Sequence, residues 1–281
     1  MIIRRIEATG GLESVIVLRM LAAHAVPGLE VVDEPAGRYE RVIEGPDGPY
    51  LMSMVIDDRG VQTFSIDLSP AEQARTDALV RLWFDLDSDL GPVNRRLSAD
   101  PLLAPMVAAR PRLRVLGHPI PFEAAIGTVL GQQVSVAAAR TFAGRLVAAY
   151  GMSGPGRLML FPRPEVLRDA DAEELRAVVG LTGSRSRTVQ AVAAAFADRG
   201  TRLPLSRSEL LALPGIGPWT ADYLAVTSGD RDAFTPGDLV LRRALGGLGA
   251  RAALARAEPW RPFRAYALFH FWVANAYLRP S

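Results

Sequence analysis

The chain has 281 residues, 49% hydrophobic and 22% charged, a balance that suits one large or two moderate folded domains and excludes a disordered chain. It contains no cysteine, and all 32 basic residues are arginine; this excludes disulfides, a thiolate nucleophile, a cysteine-held zinc or iron–sulfur cluster and a lysine Schiff base. The net charge of +2 is split: residues 1–110 carry 11 arginines and 17 acids, whereas residues 111–281 carry 21 arginines and 13 acids, so the second half is suited to meet a polyanion.

The first hundred residues read as mixed α and β. Ile2 to Ala8 has the composition of a strand, and Leu12 to Ala25 shows helical spacing of apolar residues. The alternating runs Glu30–Asp33, Tyr39–Glu44, Tyr50–Ile56 and Val61–Leu68 follow, separated by Glu34-Pro-Ala-Gly37, Gly45-Pro-Asp-Gly48 and Asp57-Asp-Arg-Gly60. Such runs and turn clusters predict an antiparallel meander. From Ser69-Pro70, a helix-start signal, the pattern turns helical, with segments near 70–84, 89–96, 101–109, 121–149, 164–168, 171–179, 185–198, 206–213, 218–228, 238–246, 249–257 and 260–277. The expectation is a mainly α protein: an N-terminal α+β domain over 1–88 with an antiparallel sheet, then a helical domain over 89–281. The N-terminus has no signal-peptide pattern, and the longest uncharged stretch, Ala124 to Ala139, is too short to span a bilayer. A cytoplasmic, nucleoid-associated protein without a membrane partner is expected.

Within the helical part, Ser206-Arg-Ser-Glu-Leu-Leu-Ala-Leu-Pro-Gly-Ile-Gly-Pro-Trp-Thr-Ala-Asp-Tyr-Leu224 is the most informative segment. Ser206 and Glu209 have capping-box spacing, a stop follows at Leu213-Pro214, and Pro218 suits the first position of a second helix. Gly215 and Gly217 let the backbone approach a bulky partner, and their amides with the second helix N-terminus make a phosphate-type anion site. Ile216 is the expected apolar pin between the helices. Taken alone, the segment could equally be a structural αα-hairpin. After this hairpin over 206–228, a polar loop over 229–238 ends in Pro-Gly-Asp238 before another helix. An isolated Pro-Gly-Asp reads first as a helix N-cap.

Together, the Leu-Pro-Gly-Ile-Gly turn and the aspartate about twenty residues on resemble the helix-hairpin-helix DNA glycosylase superfamily, named for its Gly/Pro…Asp signature. Three further stretches resemble its DNA-3-methyladenine glycosylase II (AlkA-type) branch: residues 121–137 with Gly-Gln-Gln-Val, Gly217-Pro-Trp-Thr-Ala-Asp-Tyr223, and residues 259–272. The resemblance implies a two-lobed glycosylase domain and a monofunctional enzyme of base excision repair that flips alkylated purines out of duplex DNA and hydrolyses their N-glycosidic bond. It implies Asp238 as the catalytic carboxylate, with capping a compatible second role. Trp219, Tyr223 and Trp272 match its aromatic base pocket, joined by Leu239 and Met20 where the family carries aromatics. Gln133 takes the place of the wedge, a leucine in better-known members. Gly215, Gly217 and the Thr220 hydroxyl would grip a DNA phosphate. No cofactor is required, but a structural Na⁺ or K⁺ is implied on the carbonyls of Leu211, Leu213 and Ile216. The expected partner is damaged double-stranded DNA, met as a monomer. A noncatalytic hairpin DNA-binding protein and a same-fold glycosylase for another damaged base stand as alternatives.

Overall fold

The computed structural model describes residues 2–45, 48–65 and 68–277. Strand β1 (Ile2–Glu7) and helix α1 (Ser14–His24) lead into β2 (Glu30–Asp33), β3 (Arg38–Gly45), β4 (Gly48–Asp57) and β5 (Gly60–Ser65). The sheet is antiparallel with order β1-β5-β4-β3-β2. β2 to β5 form the meander that the turn clusters predict, and β1 closes its far edge by pairing with β5. Pro46 and Asp47 of the expected Gly45–Gly48 turn, and Ile66 and Asp67 of the expected Val61–Leu68 strand, lie outside the described residues.

The rest is helical: α2 (Pro70–Trp83), α3 (Leu90–Ser98), α4 (Ala104–Ala109), α5 (Pro121–Leu130), α6 (Val136–Tyr150), α7 (Pro164–Asp169), α8 (Ala172–Val179), α9 (Gly183–Ala197), α10 (Arg207–Ala212), α11 (Pro218–Thr227), α12 (Leu239–Ala244), α13 (Ala250–Arg256) and α14 (Arg264–Trp272), extended by a π turn over Val273–Tyr277. Ser69 caps α2 through a capping box with Glu72, as the Ser-Pro start implies. Two expectations are corrected. The single helix expected over 121–149 is broken, because α5 stops at Gly131 and Ser135 caps a new helix by accepting from Ala138 N. The segment expected as one helix over 260–277 starts only at Arg264, after a 3-10 turn over Glu258–Trp260 and the Arg261-Pro262 step, whose proline removes a helical donor. A short ribbon, β6 (Met152–Ser153) with β7 (Met159–Leu160), has no alternation long enough to be read in advance.

Three apolar clusters hold these elements. One joins the sheet to α1 and α2. A second is built on α5, α6, α8, α9 and the α10–α11 hairpin. The third gathers α3, α4, α12 to α14 and the first helix through Ile16 and Met20. The sheet is tied to the helices by a buried ionic group. Arg41 of β3 is fully buried and donates to Glu30 at 3.3 Å and to Glu123 of α5 at 2.5 Å. Burial pushes the Glu123 carboxyl up in pKa, while Arg41 pulls it down.

A second buried acid, Asp100, accepts from Trp260 Nε1 at 2.6 Å, Arg256 Nη2 at 2.7 Å and Leu102 N at 2.9 Å. Burial alone would raise this carboxyl; the donors overcome it and hold the pKa down at about 2.

Arg41→Met should destabilise the protein by about 3–5 kcal/mol, since it strands the Glu123 carboxylate, while Glu30 keeps its bonds from Tyr39 and Val26. Urea denaturation at neutral pH checks this, and an unchanged midpoint would show that the group contributes nothing. For Asp100 the folded pKa lies below the ordinary 3.8, so its contribution is present above that value and fades as pH falls towards 2. It amounts to about 2 kcal/mol. Asp100→Asn should therefore lose stability at pH 6 and show a shallower decline between pH 4 and 2 than the parent; parallel pH–stability curves would refute this.

Candidate active site

Asp238 stands where the polar loop meets α12. Its backbone is extended (φ −63°, ψ 131°), and its Oδ1 accepts from Leu241 N at 2.9 Å, which caps the helix. The same oxygen accepts from the indole Nε1 of Trp272, at 3.1 Å. Asp238 is only 9% exposed, yet its second oxygen, Oδ2, takes no hydrogen bond among the described residues. The capping role is therefore realised, and it commits one oxygen while leaving the other open.

Aromatic rings collect around this carboxylate. Trp219 and Tyr223 sit four residues apart on α11, so they share a face, and their rings stack at 5.3 Å with a 16° tilt. Tyr223 approaches Trp272 at 5.9 Å, and Trp272 approaches Phe269 at 5.2 Å. A side chain at Gly237 would touch the Trp219 ring at 3.8 Å, so that indole lies against the loop just before Asp238. Burial and the nearby negative charge of Asp238 push the Tyr223 phenol up in pKa, and Tyr277 responds to burial, Tyr223 and Asp238 in the same way.

The structure thus brings together Asp238, Trp219, Tyr223 and Trp272, from segments up to 53 positions apart in sequence. Two other expected pocket residues differ. Leu239 follows Asp238 but is 55% exposed, because the first residue of a capped helix points away from the loop it leaves; it is not packed among the rings. Met20 is 7% exposed and belongs to the apolar cluster behind Trp272 and Phe269, a packing position. Sequence reasoning missed Tyr277, whose hydroxyl meets His24 Nε2 at 2.7 Å, joining the end of the chain to α1. No local pattern marks it, since its hydroxyl partner, His24, lies 253 positions away in sequence.

The hairpin forms as expected. Ser206 and Glu209 make the capping box of α10, and Ile216, 7% exposed, is buried with Leu210, Ala221 and Leu224. The two glycines differ in kind. Gly215 has φ +79°, and a Cβ there would lie 2.1 Å from Thr188 Oγ1 of α9, so its glycine is demanded by the protein's own backbone and packing. Gly217 has ordinary angles (φ −100°, ψ 175°), and a Cβ there would meet nothing within 4 Å. Its space is free for something outside the chain. The amides of Gly215 and Gly217 have no protein acceptor among the described residues. Thr220 was expected to present its hydroxyl to a phosphate; it is 3% exposed and accepts from Gln132 Nε2 at 3.1 Å, because α11 turns that face inward.

The three hairpin carbonyls on which a cation is expected carry few donors. Leu213 O receives only a long bond, 3.3 Å, from Ile216 N, and no backbone amide among the described residues donates to Leu211 O or Ile216 O. Neutral oxygens left without strong donors suit a monovalent ion. Gln133 is exposed on the loop between α5 and α6, with its backbone in the left-handed region at φ +56°. Such an angle is costly for a residue with a side chain.

A family model described as HhH-GPD superfamily base excision DNA repair protein matches residues 126–258, and an AlkA N-terminal domain model matches residues 11–119. The chain is 31% identical to DNA-3-methyladenine glycosylase 2 of Escherichia coli over 281 residues, covering 92% of this chain and 93% of that protein. It is 38% identical over 268 residues to the probable bifunctional transcriptional activator/DNA repair enzyme AlkA of Mycobacterium tuberculosis; this covers 90% of the chain but 53% of that protein, so the chain spans about half its length. The structure of 3-methyladenine DNA-glycosylase from Archaeoglobus fulgidus has the same fold, with a TM-score of 0.81 at 19% identity and 98% of each chain covered. The chain belongs to the HhH-GPD superfamily of base excision DNA repair proteins, and within it to the group that carries the AlkA N-terminal domain.

Proposed function

We propose that this protein is a DNA glycosylase that hydrolyses the N-glycosidic bond of alkylated purines in duplex DNA, with Asp238 as its catalytic carboxylate and no lyase step. The observation that carries the reading is the half-committed Asp238. One oxygen is fixed by a helix N-terminus and an indole N–H, and the other is free within an aromatic cluster.

Bond cleavage leaves positive charge on the sugar. A carboxylate already oriented and largely withdrawn from water stabilises that charge without reorganising, and its open oxygen can also orient the attacking water. Trp219, Tyr223 and Trp272 supply π-faces. A base methylated at a ring nitrogen is cationic and electron-poor, so it stacks on such faces with ~1–2 kcal/mol of cation–π attraction. Its glycosidic bond is already weakened, so leaving-group chemistry demands little of the protein. Leu239 and Met20, where the resemblance implies aromatics, lie outside this group of rings, so the stacking faces are those of Trp219, Tyr223 and Trp272.

The base is buried in the duplex and must be flipped out at a cost of a few kcal/mol. Gln133 is the wedge that fills the vacated stack, and its amide can hydrogen-bond the orphaned base. The Gly215 and Gly217 amides at the α11 N-terminus hold a backbone phosphate. A monovalent cation on the carbonyls of Leu211, Leu213 and Ile216 would add positive charge beside it. The names of the Escherichia coli and Archaeoglobus fulgidus proteins favour 3-methyladenine among the substrates. With no lysine in the chain, no side-chain amine can form the imine required for strand elimination, so the product is an intact abasic strand. The protein acts as a monomer in the cytoplasm.

Release of 3-methyladenine and 7-methylguanine from methylated DNA, identified by chromatography, tests the reading directly; DNA binding without base release would leave a hairpin DNA-binding protein. Asp238→Asn keeps the size and the capping oxygen, so thermal stability should hardly change. Base release should fall by ~10²–10³ while DNA binding persists. Near-normal release would return Asp238 to a helix cap.

Gly217→Asp is the cleaner test of the phosphate grip, since the equivalent change at Gly215 would collide with Thr188. Aspartate is a good N-cap, so the fold should hold or gain slightly. A negative side chain in the anion site should weaken binding to abasic duplex by about tenfold or more and flatten its salt dependence. Binding as tight as the parent's would place the phosphate elsewhere.

A further inference from the structure

The loop that carries Gln133 is tied to the hairpin through its neighbour. Gln132 Nε2 donates to Gly215 O at 3.1 Å and to Thr220 Oγ1 at 3.1 Å. The amide orientation follows from chemistry, because a carbonyl oxygen only accepts, so the NH₂ group must face Gly215. The main chain of Gln132 is gripped as well: Arg185 of α9 donates to its carbonyl oxygen. Three residues along α9, Thr188 is the side chain against Gly215. One face of α9 therefore braces the loop and the hairpin together, and Gln132 closes the connection between them.

This arrangement also accounts for the backbone of Gln133. A non-glycine residue persists at φ +56° only where its surroundings hold it there. Among the described residues, Gln133 has no hydrogen bond of its own to do so. The restraint comes from Gln132, clamped by side chain and main chain one residue before.

We propose that Gln132 is a positioning residue that locks the Gln133 loop to the phosphate-gripping hairpin, so that holding the phosphate and presenting the wedge are one rigid act. The proposal rests on the reading of the protein as a base-flipping glycosylase and deepens it. With the loop loose, binding of the backbone no longer carries Gln133 to a set depth in the helix. The free energy of the phosphate contact is then not converted into extrusion of the base. The loss should be largest where extrusion is hardest.

The test uses the full chain and two variants, Gln132→Met, which keeps the length without hydrogen bonds, and Gln132→Glu, which keeps the shape but turns an acceptor towards Gly215 O. Single-turnover release of 7-methylguanine is measured from a duplex opposite cytosine, a duplex opposite thymine and a single strand. Loss of these two hydrogen bonds should slow release opposite cytosine by about tenfold or more, less opposite thymine, and least from the single strand, where little flipping is needed. Adding Gln133→Ala to Gln132→Met should slow the paired duplex little further, since both changes disable one device.

A second readout does not depend on base release. A duplex carrying a 2-aminopurine beside a tetrahydrofuran abasic analogue should brighten on saturation with the parent protein as the neighbour unstacks, and brighten less with Gln132→Met at saturation. An equal loss on all three substrates together with a lower melting temperature would make Gln132 ordinary structural glue and overturn the proposal, as would unchanged rates and fluorescence in both variants. If the parent released no base yet the fluorescence difference held, the coupling would stand and the glycosylase reading would fall.

Discussion

A single carboxylate oxygen organises the loop and the aromatic cluster ahead of α12. Oδ1 of Asp238 accepts from the first turn of α12 and from the indole of Trp272, so it joins the end of the polar loop to α14. Withdrawing a carboxylate from water is costly unless donors replace the solvent. Here a helix N-terminus and an N–H group do so on one side, and the positive end of the helix dipole favours the charge. The other oxygen stays open. The same bond fixes the plane of Trp272, against which Tyr223 rests, and Tyr223 in turn supports Trp219. The aromatic cluster and the acid are one assembly, so neither can be displaced without the other.

The hairpin follows a different rule, in which the chain leaves room instead of filling it. Gly215 and Gly217 look alike in sequence, but one is a packing requirement and the other an opening. Thr188 presses the first against α9, which fixes the turn. That fixed turn presents the second glycine, with free amides, at the start of α11. Thr220, which the sequence offers as a hydrogen-bonding hydroxyl, is spent inside, on Gln132. Preorganisation of this kind keeps ordering costs out of the binding step.

Stitching between the halves is done by arginine. Arg114, 3% exposed, reaches Thr9 O, Gly11 O, Asp85 O and Ser88 O, closing the N-terminal segment over the α2–α3 connection. Burial lowers its pKa, but an arginine stays charged. Arg41 plays the corresponding part between sheet and α5, and Arg256 does so on Asp100. A planar fork can serve several carbonyl or carboxylate oxygens at once, which a single ammonium group does less well. The arginine-rich composition therefore serves the interior as well as the surface charge.

The sequence determined whatever depends on neighbours along the chain. Alternation and turn clusters yield the meander, Ser-Pro and the capping boxes set helix starts, and the Leu-Pro-Gly-Ile-Gly turn with Pro-Gly-Asp238 picks out the hairpin and the acid, because each is a short-range pattern. The pairing of β1 with β5 was not legible, since strand order depends on which edge the chain returns to. The break at Gly131–Ser135 was hidden within a continuous apolar periodicity that alone reads as one helix. Which oxygen of Asp238 is free, why Leu239 faces solvent while Met20 is buried, and where Tyr277 ends up depend on contacts among segments tens to hundreds of residues apart. The same holds for Gln132, one of two adjacent glutamines that local sequence cannot distinguish. Only the approach of α9 and the hairpin makes one of them a brace and leaves the other exposed.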